Sequence, residues 1–259
     1  MPRGSGVHVR EASDGASSVE PRAEAFVRQS ALPGFGARGQ LSLGSASVAV
    51  VGVGGLGCPV ALYLAAAGVG SLTLIDSDHV TVTNLHRQVL YGPADVGVPK
   101  VTAAMAALDR VAPHCAIDSL ATRLTEANAA AVLTGYDLVV DATDTFASRM
   151  VVSDATQLLG IPLVWGAVQG WFGQVTVFDS TVGLRDVFPR EPPEDFGVCD
   201  AGGVLGTLCG QVGTAMATEA VKVLSGVGEP LVGTLAVIDA REGRWRDLPV
   251  SRAAGGPSA

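Results

Sequence analysis

A short apolar run followed by clustered glycines constrains the fold of this chain more than any other feature. Residues 47–51 read SVAVV, a β-branched run typical of a buried parallel strand. The next residues match the pattern GxGxxG through Gly52, Gly54, Gly55 and Gly57, and a small-residue helix is predicted over 58–67. A second strand, 71–75, ends at Asp76. This β-turn-α-β unit predicts a Rossmann-like sheet whose glycines approach a phosphate or an adenosine.

The alternation of strands and helices continues along the chain. It predicts an α/β fold with a doubly wound mixed sheet, parallel in its N-terminal half and antiparallel in its C-terminal strands. The further predicted strands are 116–121, 137–140, 162–167, 174–179, 231–239 and 244–248, and the helices are 100–111, 125–133 (with Thr125 as cap), 146–159 and 205–224. Between them, 180–200 is a proline-rich crossing loop. We expect one domain over 25–250, flanked by disordered tails over 1–24 and 251–259.

Charge and cysteine usage exclude several classes of protein. The net charge of −8 and the absence of a basic run argue against nucleic-acid binding. No stretch is long and apolar enough for a membrane span, and the N-terminus lacks an apolar signal region, so we expect a cytoplasmic protein. The cysteines form no CxxC pair, which argues against a disulfide scaffold or a zinc site; they are Cys58, Cys115, Cys199 and Cys209.

The glycine turn alone does not identify the nucleotide. Asp76 is placed to accept hydrogen bonds from ribose hydroxyls, which suits a nicotinamide oxidoreductase and an ATP enzyme equally. The segment TNLHRQ over 83–88 and Lys100 favour ATP, because a triphosphate needs more cations than a dinucleotide. Arg87 can form a planar fork to phosphate, and Lys100 can supply a point charge.

Two carboxylates follow the predicted strand 137–140. Asp144 would lie at the carboxyl end of the sheet, where it could hold Mg²⁺ together with the phosphates. The alternative is that Asp144 caps the helix predicted from Phe146. Asp141 is the weaker metal candidate and could be structural.

Taken in order, these motifs are more specific than any one of them. The stretch GVGGLGCPVALYLAAAGVG over 52–70 is followed by NLHRQVLYGPADVGVPK, DLVVDATD, PLVWGAVQGWFGQVTVF and GEPLVG. From about Phe26 to Leu248 the chain resembles the HesA/MoeB/ThiF family of ubiquitin-activating-enzyme-like adenylyltransferases. The resemblance implies ATP-dependent adenylation of the C-terminal glycine of a ubiquitin-fold sulfur carrier ending in Gly-Gly, as a step toward a thiocarboxylate.

The resemblance also implies roles for individual residues. The nucleotide would be contacted by the four glycines, Asp76, Thr83, Asn84, Leu85, His86, Arg87, Lys100, Asp144 and Thr145, with Asp144 as the Mg²⁺ ligand. Arg28, in FVRQS, would reach across a homodimer into the partner's ATP site. Cys199 lies where the family often has a loop cysteine, and it could link covalently to the activated carrier; the alternative is a spare thiol.

This sequence departs from the family pattern at several positions. GLRD stands over 183–186 where a zinc-binding CxxC is common, and no cysteine follows Val250, so we expect no structural zinc. Thr145 replaces an asparagine, Ala25 an arginine and His86 a glutamine. The changes at Thr145 and Ala25 motivate an alternative hypothesis, a nucleotide- or carrier-binding scaffold without turnover. We also expect the sulfur to come from a separate donor of the rhodanese or cysteine desulfurase type.

Overall fold

The computed structural model describes residues 24–189 and 203–252. Its strands are β1 Ser47–Val51, β2 Ser71–Ile75, β3 Ala116–Leu120, β4 Leu138–Asp141, β5 Leu163–Gln169, β6 Phe172–Phe178, β7 Thr234–Asp239 and β8 Arg244–Pro249. Its helices are α1 Val27–Ser30, α2 Gly36–Ser45, α3 Gly57–Ala66, α4 Lys100–Val111, α5 Ala129–Leu133, α6 Phe146–Leu159, α7 Leu184–Val187 and α8 Gly206–Ser225. Two 3₁₀ turns, Val82–Asn84 and Pro93–Asp95, lie between β2 and α4.

The strands form one eight-stranded sheet in the order β3-β2-β1-β4-β5-β6-β7-β8. The first five in that order are parallel, and β6, β7 and β8 are antiparallel to their neighbours. This is the mixed, doubly wound Rossmann-like sheet that the sequence predicts. The strand order reverses between β1 and β4, so the loops that follow these strands open a crevice at the carboxyl edge of the sheet.

Each face of the sheet has its own apolar core. The side chains of β1 alternate, with Val48 and Val50 in one core and Ala49 and Val51 in the other. Helices α3, α4 and α8 cover the first face, and α5, α6 and α7 cover the second. Because all four of these β1 residues are fully or almost fully buried, the strand is apolar throughout, as expected for the centre of a parallel sheet.

Most predicted elements are present within a residue or two, and β2, α4 and α6 have the predicted bounds. The prediction for α5 is wrong at its start, because the helix begins at Ala129 and not at Thr125. Residues 125–128 form a turn instead, in which the Asn128 side chain accepts a hydrogen bond of 2.7 Å from the Thr125 amide. None of the helices within residues 24–189 and 203–252 has the length and the hydropathy that a membrane span requires.

Candidate functional site

An open cleft lies at the carboxyl edge of the sheet, around the ends of β1, β2 and β4. Its empty volume is about 940 Å³, which includes the open solvent at its mouth. The predicted residues that line it are Gly52, Gly54, Gly55, Asp76, Arg87, Lys100 and Asp144. Loops after separate strands therefore bring the glycine turn, both predicted cations and the predicted metal ligand to one cavity.

The glycines of the turn differ in what a side chain at each position would contact. Gly52 has a φ of 86°, and a Cβ there would lie 2.8 Å from the carbonyl oxygen of Ala142. A Cβ on Gly57 would clash with the Gly52 carbonyl, so both glycines serve the packing of the turn itself. A Cβ on Gly54 would meet nothing closer than Gln88 Nε2 at 3.6 Å. Packing within the chain does not require Gly54, and its missing side chain leaves room for a ligand in the cleft.

The peptide groups of Val53 are fixed from two directions. Asp76 Oδ2 accepts a hydrogen bond of 2.8 Å from the Val53 amide, and the Tyr91 hydroxyl donates one of 2.8 Å to the Val53 carbonyl. Burial raises the pKa of Tyr91 far above its ordinary value, so the hydroxyl stays a neutral donor. The Cys58 thiol adds a weak contact of 3.6 Å to the same carbonyl. The glycine turn is thus held rigidly against the cleft.

Asp76 and Lys100 form a charged group at the end of β2. Lys100 is buried, and its Nζ lies 2.9 Å from Asp78 Oδ2 and 3.9 Å from Asp76 Oδ2. Asp76 Oδ1 also accepts a hydrogen bond of 2.8 Å from the Asp78 amide. Since each carboxylate oxygen has two lone pairs, Asp76 can still accept from a ribose hydroxyl. Lys100 Nζ has three N–H donors, and its hydrogen bond to Asp78 uses one of them.

A neighbouring asparagine orients Arg87. Arg87 Nη2 donates to Asn84 Oδ1 at 2.7 Å, and Nη1 donates to the Thr83 carbonyl at 3.4 Å. His86 does not line the cleft; its Nδ1 lies 3.0 Å from the same carbonyl. Asn84, Thr83, Leu85 and Gly57 likewise lie outside the cavity lining, so in this structure they shape the segment around Arg87 and the glycine turn.

The structure separates the roles of the residues that follow β4. Thr145 is the N-cap of α6, and its hydroxyl accepts a hydrogen bond of 3.2 Å from the Ser148 amide. The capping alternative for Asp144 is therefore wrong, and the exposed Asp144 carboxylate lines the cleft. Asp141 is fully buried, and its Oδ1 accepts hydrogen bonds from Thr143, which makes it a structural carboxylate.

The cleft also contains residues that the sequence reasoning did not assign to it. Buried Gln88 presents a side-chain oxygen without a hydrogen-bond partner, and buried Arg149 and Cys209 also contribute to the lining. The segment Thr122, Arg123 and Leu124 closes the side beyond β3. One signal was available for Arg149, since a charged residue within the apolar run of a buried helix needs a partner or a function.

Arg28 does not line the cleft. Arg28 is exposed on α1, which is anchored by the buried Phe26 against His114, with ring centroids 4.9 Å apart. Gln29 adds a hydrogen bond of 3.0 Å to the Ala67 carbonyl. Cys199 lies outside the described residues, so its role stays a prediction. Within the described ranges, no group of three or more His, Cys, Asp or Glu side chains could hold a metal.

Comparison with known proteins gives concordant matches in sequence and fold. The chain is 47% identical over 235 residues to the sulfur carrier protein adenylyltransferase of Thermus thermophilus, covering 88% of this chain and 87% of that protein. It is 42% identical over 234 residues to the probable adenylyltransferase/sulfurtransferase MoeZ of Mycobacterium tuberculosis, covering 88% of this chain and 60% of MoeZ.

Among solved structures, that of PaaA has a TM-score of 0.75 at 21% identity, covering 95% of this chain and 79% of PaaA, which shows the shared fold alone. The model of the ThiF family matches residues 26–256, nearly the whole of the predicted domain. The chain therefore belongs to the ThiF family.

Proposed function

We propose that this protein uses ATP to adenylate the C-terminal glycine carboxylate of a ubiquitin-fold sulfur-carrier protein. The observation that carries the proposal is the convergence of Arg87, Lys100 and Asp144 with the glycine turn in one cleft. A dinucleotide site would not need this second group of charges. The Thermus relative, matched over 87% of its length, bears the name of this activity.

The reaction requires little covalent participation from the protein. An oxygen of the carrier's carboxylate attacks the α-phosphorus of ATP, and the bond from that phosphorus to the bridging oxygen of the pyrophosphate breaks. The products are an acyl-adenylate and pyrophosphate, and a later sulfur nucleophile can displace AMP to leave a thiocarboxylate. The cleft contributes by positioning two anions and by neutralising the charge that develops on the phosphates.

The charged side chains divide this task. Arg87, oriented by Asn84 through its 2.7 Å hydrogen bond, presents a planar fork to the phosphate oxygens. Lys100 supplies a point charge, and its bond to Asp78 leaves N–H donors for a phosphate oxygen. Asp76 remains to hold the ribose while its Oδ2 keeps the glycine turn in place. Because Gly54 has no side chain, the nucleotide can approach the backbone closely.

We assign Mg²⁺ binding to Asp144. Its exposed carboxylate points to hard-cation chemistry, and the phosphates of the nucleotide would supply further oxygen ligands, so a cluster of protein carboxylates is not needed. When bound there, the ion would neutralise charge on the phosphate oxygens. The absence of a structural zinc stays a prediction.

We further propose that two copies of the chain form composite sites. Arg28 does not line the cleft of its own chain, although α1 is firmly anchored, which is consistent with donation of the guanidinium to a partner's cleft. Mixing the inactive variants Arg28→Ala and Asp144→Asn tests this directly. In an equal mixture about half of the dimers are heterodimers, and each of these holds one intact site of two, so about a quarter of the wild-type activity should return. No recovery after verified subunit exchange would refute donation between subunits.

Carrier-dependent exchange of pyrophosphate into ATP tests the central proposal. The full chain with Mg²⁺ and a candidate carrier ending in Gly-Gly should catalyse exchange, and the same carrier without its last glycine should not. Replacing Asp144 by Asn should reduce the rate roughly 10²–10³-fold, the scale of one preorganised charge contact. Tight ATP binding with no exchange for any such carrier would favour the scaffold hypothesis. The sulfur donor, as a separate rhodanese or cysteine desulfurase, and the cytoplasmic location stay predictions.

A further inference from the structure

The loop between β4 and α6 carries Asp144, and the residue before it, Thr143, is hydrogen-bonded on both sides. The Thr143 amide and the Thr143 hydroxyl both donate to Asp141 Oδ1, at 2.9 and 2.7 Å. On the other side, the Thr143 carbonyl accepts a hydrogen bond of 3.3 Å from Arg149 Nε. Because Thr143 immediately precedes Asp144, these contacts restrict the direction in which the Asp144 carboxylate leaves the loop.

Asp141 is an ionisable residue at the buried end of β4, whose other residues are apolar. It is fully buried, and its Oδ2 has no hydrogen-bond partner. Burial raises the pKa of Asp141 above its ordinary value, and the charge of Asp144 adds to this shift. The hydrogen bonds from Thr143 and the charge of Arg149 oppose the shift without cancelling it. Burying a carboxylate is unfavourable unless it is paired. An apolar residue at position 141 would therefore be less unfavourable for the free energy of folding than Asp141 is, and stability alone does not explain the carboxylate.

Arg149 is held by ring contacts as well as by its hydrogen bond to the loop. It is 3% exposed, and its Cζ lies 5.0 Å from the ring centroid of Phe146 and 5.7 Å from that of Trp165. These cation–π contacts orient the planar guanidinium while Nε bonds the loop. A lysine could retain the charge but could not reproduce both the stacking and the Nε bond. Arg149 also lines the cleft, next to the carboxylate that it would position.

We propose that Asp141 and Arg149 are positioning residues that hold Thr143 through its amide and its carbonyl and thereby orient Asp144 toward the metal–nucleotide complex. This inference rests on the proposed function, since it takes Asp144 as the Mg²⁺ ligand. The competing explanation is that the pair only stabilises the junction of β4 and α6. In that case the pair would affect folding without affecting how metal and nucleotide promote each other's binding.

The two explanations differ in a binding ratio. The dissociation constant of the non-hydrolysable analogue AMPCPP is measured by calorimetry on the full chain, once in EDTA and once with saturating Mg²⁺. The ratio of the two values is the metal-dependent gain in affinity. Loss of folded protein lowers the number of sites in both titrations and leaves this ratio unchanged, whereas a misdirected Asp144 reduces the ratio.

Arg149→Lys and Asp141→Ala should each reduce the gain about tenfold, the scale on which groups behind a metal ligand affect metal affinity. Their binding of AMPCPP in EDTA should change less than about twofold. Asp141→Asn, which keeps the Oδ1 acceptor, should retain most of the gain. The matched control is Arg185→Lys, because Arg185 also bonds α6, through Asp154 at 2.6 Å, but is exposed and lies outside the cleft lining.

Asp144→Asn separates failure of the inference from failure of the proposed function. If Asp144→Asn keeps the wild-type gain, the proposed metal role of Asp144 is wrong. If Asp144→Asn loses the gain while Arg149→Lys and Asp141→Ala keep it, the positioning inference is overturned. Should Arg149→Lys not fold, Phe146→Leu removes one of the two rings and leaves Arg149 in place; a gain reduced about threefold supports the inference, and an unchanged gain refutes it.

Discussion

The hydrogen bond from Tyr91 to the glycine turn gives a sharp test of how that turn is held. The Tyr91 hydroxyl and the Val53 carbonyl are 2.8 Å apart, and both residues are buried. In Tyr91→Phe the ring packing is kept, but the carbonyl retains only the contact of 3.6 Å from the Cys58 thiol. We expect a loss of about 1–2 kcal/mol in the free energy of unfolding, since a buried acceptor left without a good donor costs about 1–3 kcal/mol.

For a domain of this size, about 1 kcal/mol shifts the midpoint of thermal unfolding by about 2–4 °C. Tyr91→Phe should therefore lower the midpoint by about 2–8 °C, measured by circular dichroism or calorimetry. The Michaelis constant for ATP should also rise, because the Val53 peptide group forms part of the glycine turn. Tyr63, on α3, is 55% exposed, so Tyr63→Phe is the matched control and should change neither value. A Tyr91→Phe midpoint equal to that of Tyr63→Phe would refute the reasoning.

Three further predictions concern the cap of α6, the orientation of Arg87 and the reactivity of the Cys58 thiol. Thr145→Ala should reduce the free energy of unfolding in urea by about 1 kcal/mol because α6 loses its cap, and Thr145→Ser should recover most of it; equal stabilities would contradict the assignment. Asn84→Ala should raise the Michaelis constant for ATP several-fold by releasing the guanidinium of Arg87, with little change in the unfolding midpoint, and an unaltered constant would show that Arg87 needs no orientation. Burial raises the pKa of Cys58 to about 12, so iodoacetamide at pH 8 should leave it unlabelled in the folded protein and label it after denaturation, as read by mass spectrometry.

The sequence was sufficient to predict the fold because its local signals agree with one another. The β-branched run before the glycines, the alternation of elements and the late hairpin all favour the same mixed sheet. The start of α5 is mispredicted because the Asn128 side chain bonds the Thr125 amide, so that residues 125–128 form a local turn before the helix. Such competition between neighbouring polar side chains is not visible in a pattern of apolar residues.

Some predicted site residues line the cleft, whereas His86 and others of the same motif do not, and contacts between distant segments are absent from the prediction. Lys100 and Asp144 were placed correctly beside the cleft, because each lies at a defined end of a helix or strand. The ion pair of Lys100 with Asp78 was not foreseen, since it depends on the path of the loop after β2. Cys209 reaches the cleft from the first turn of α8, more than a hundred residues beyond the glycines in the sequence. No local pattern encodes that approach.

The carboxylates around Lys100 have a consequence for the order of loading. Asp76, Asp78 and Asp144 all line the cleft, and Lys100 is already paired with the first two. A bare triphosphate would bring concentrated negative charge toward three carboxylates, whereas a triphosphate that already carries a divalent cation would bring less. The species matched to this surface is therefore the preformed metal–nucleotide complex, and an excess of uncomplexed nucleotide should compete poorly for the cleft.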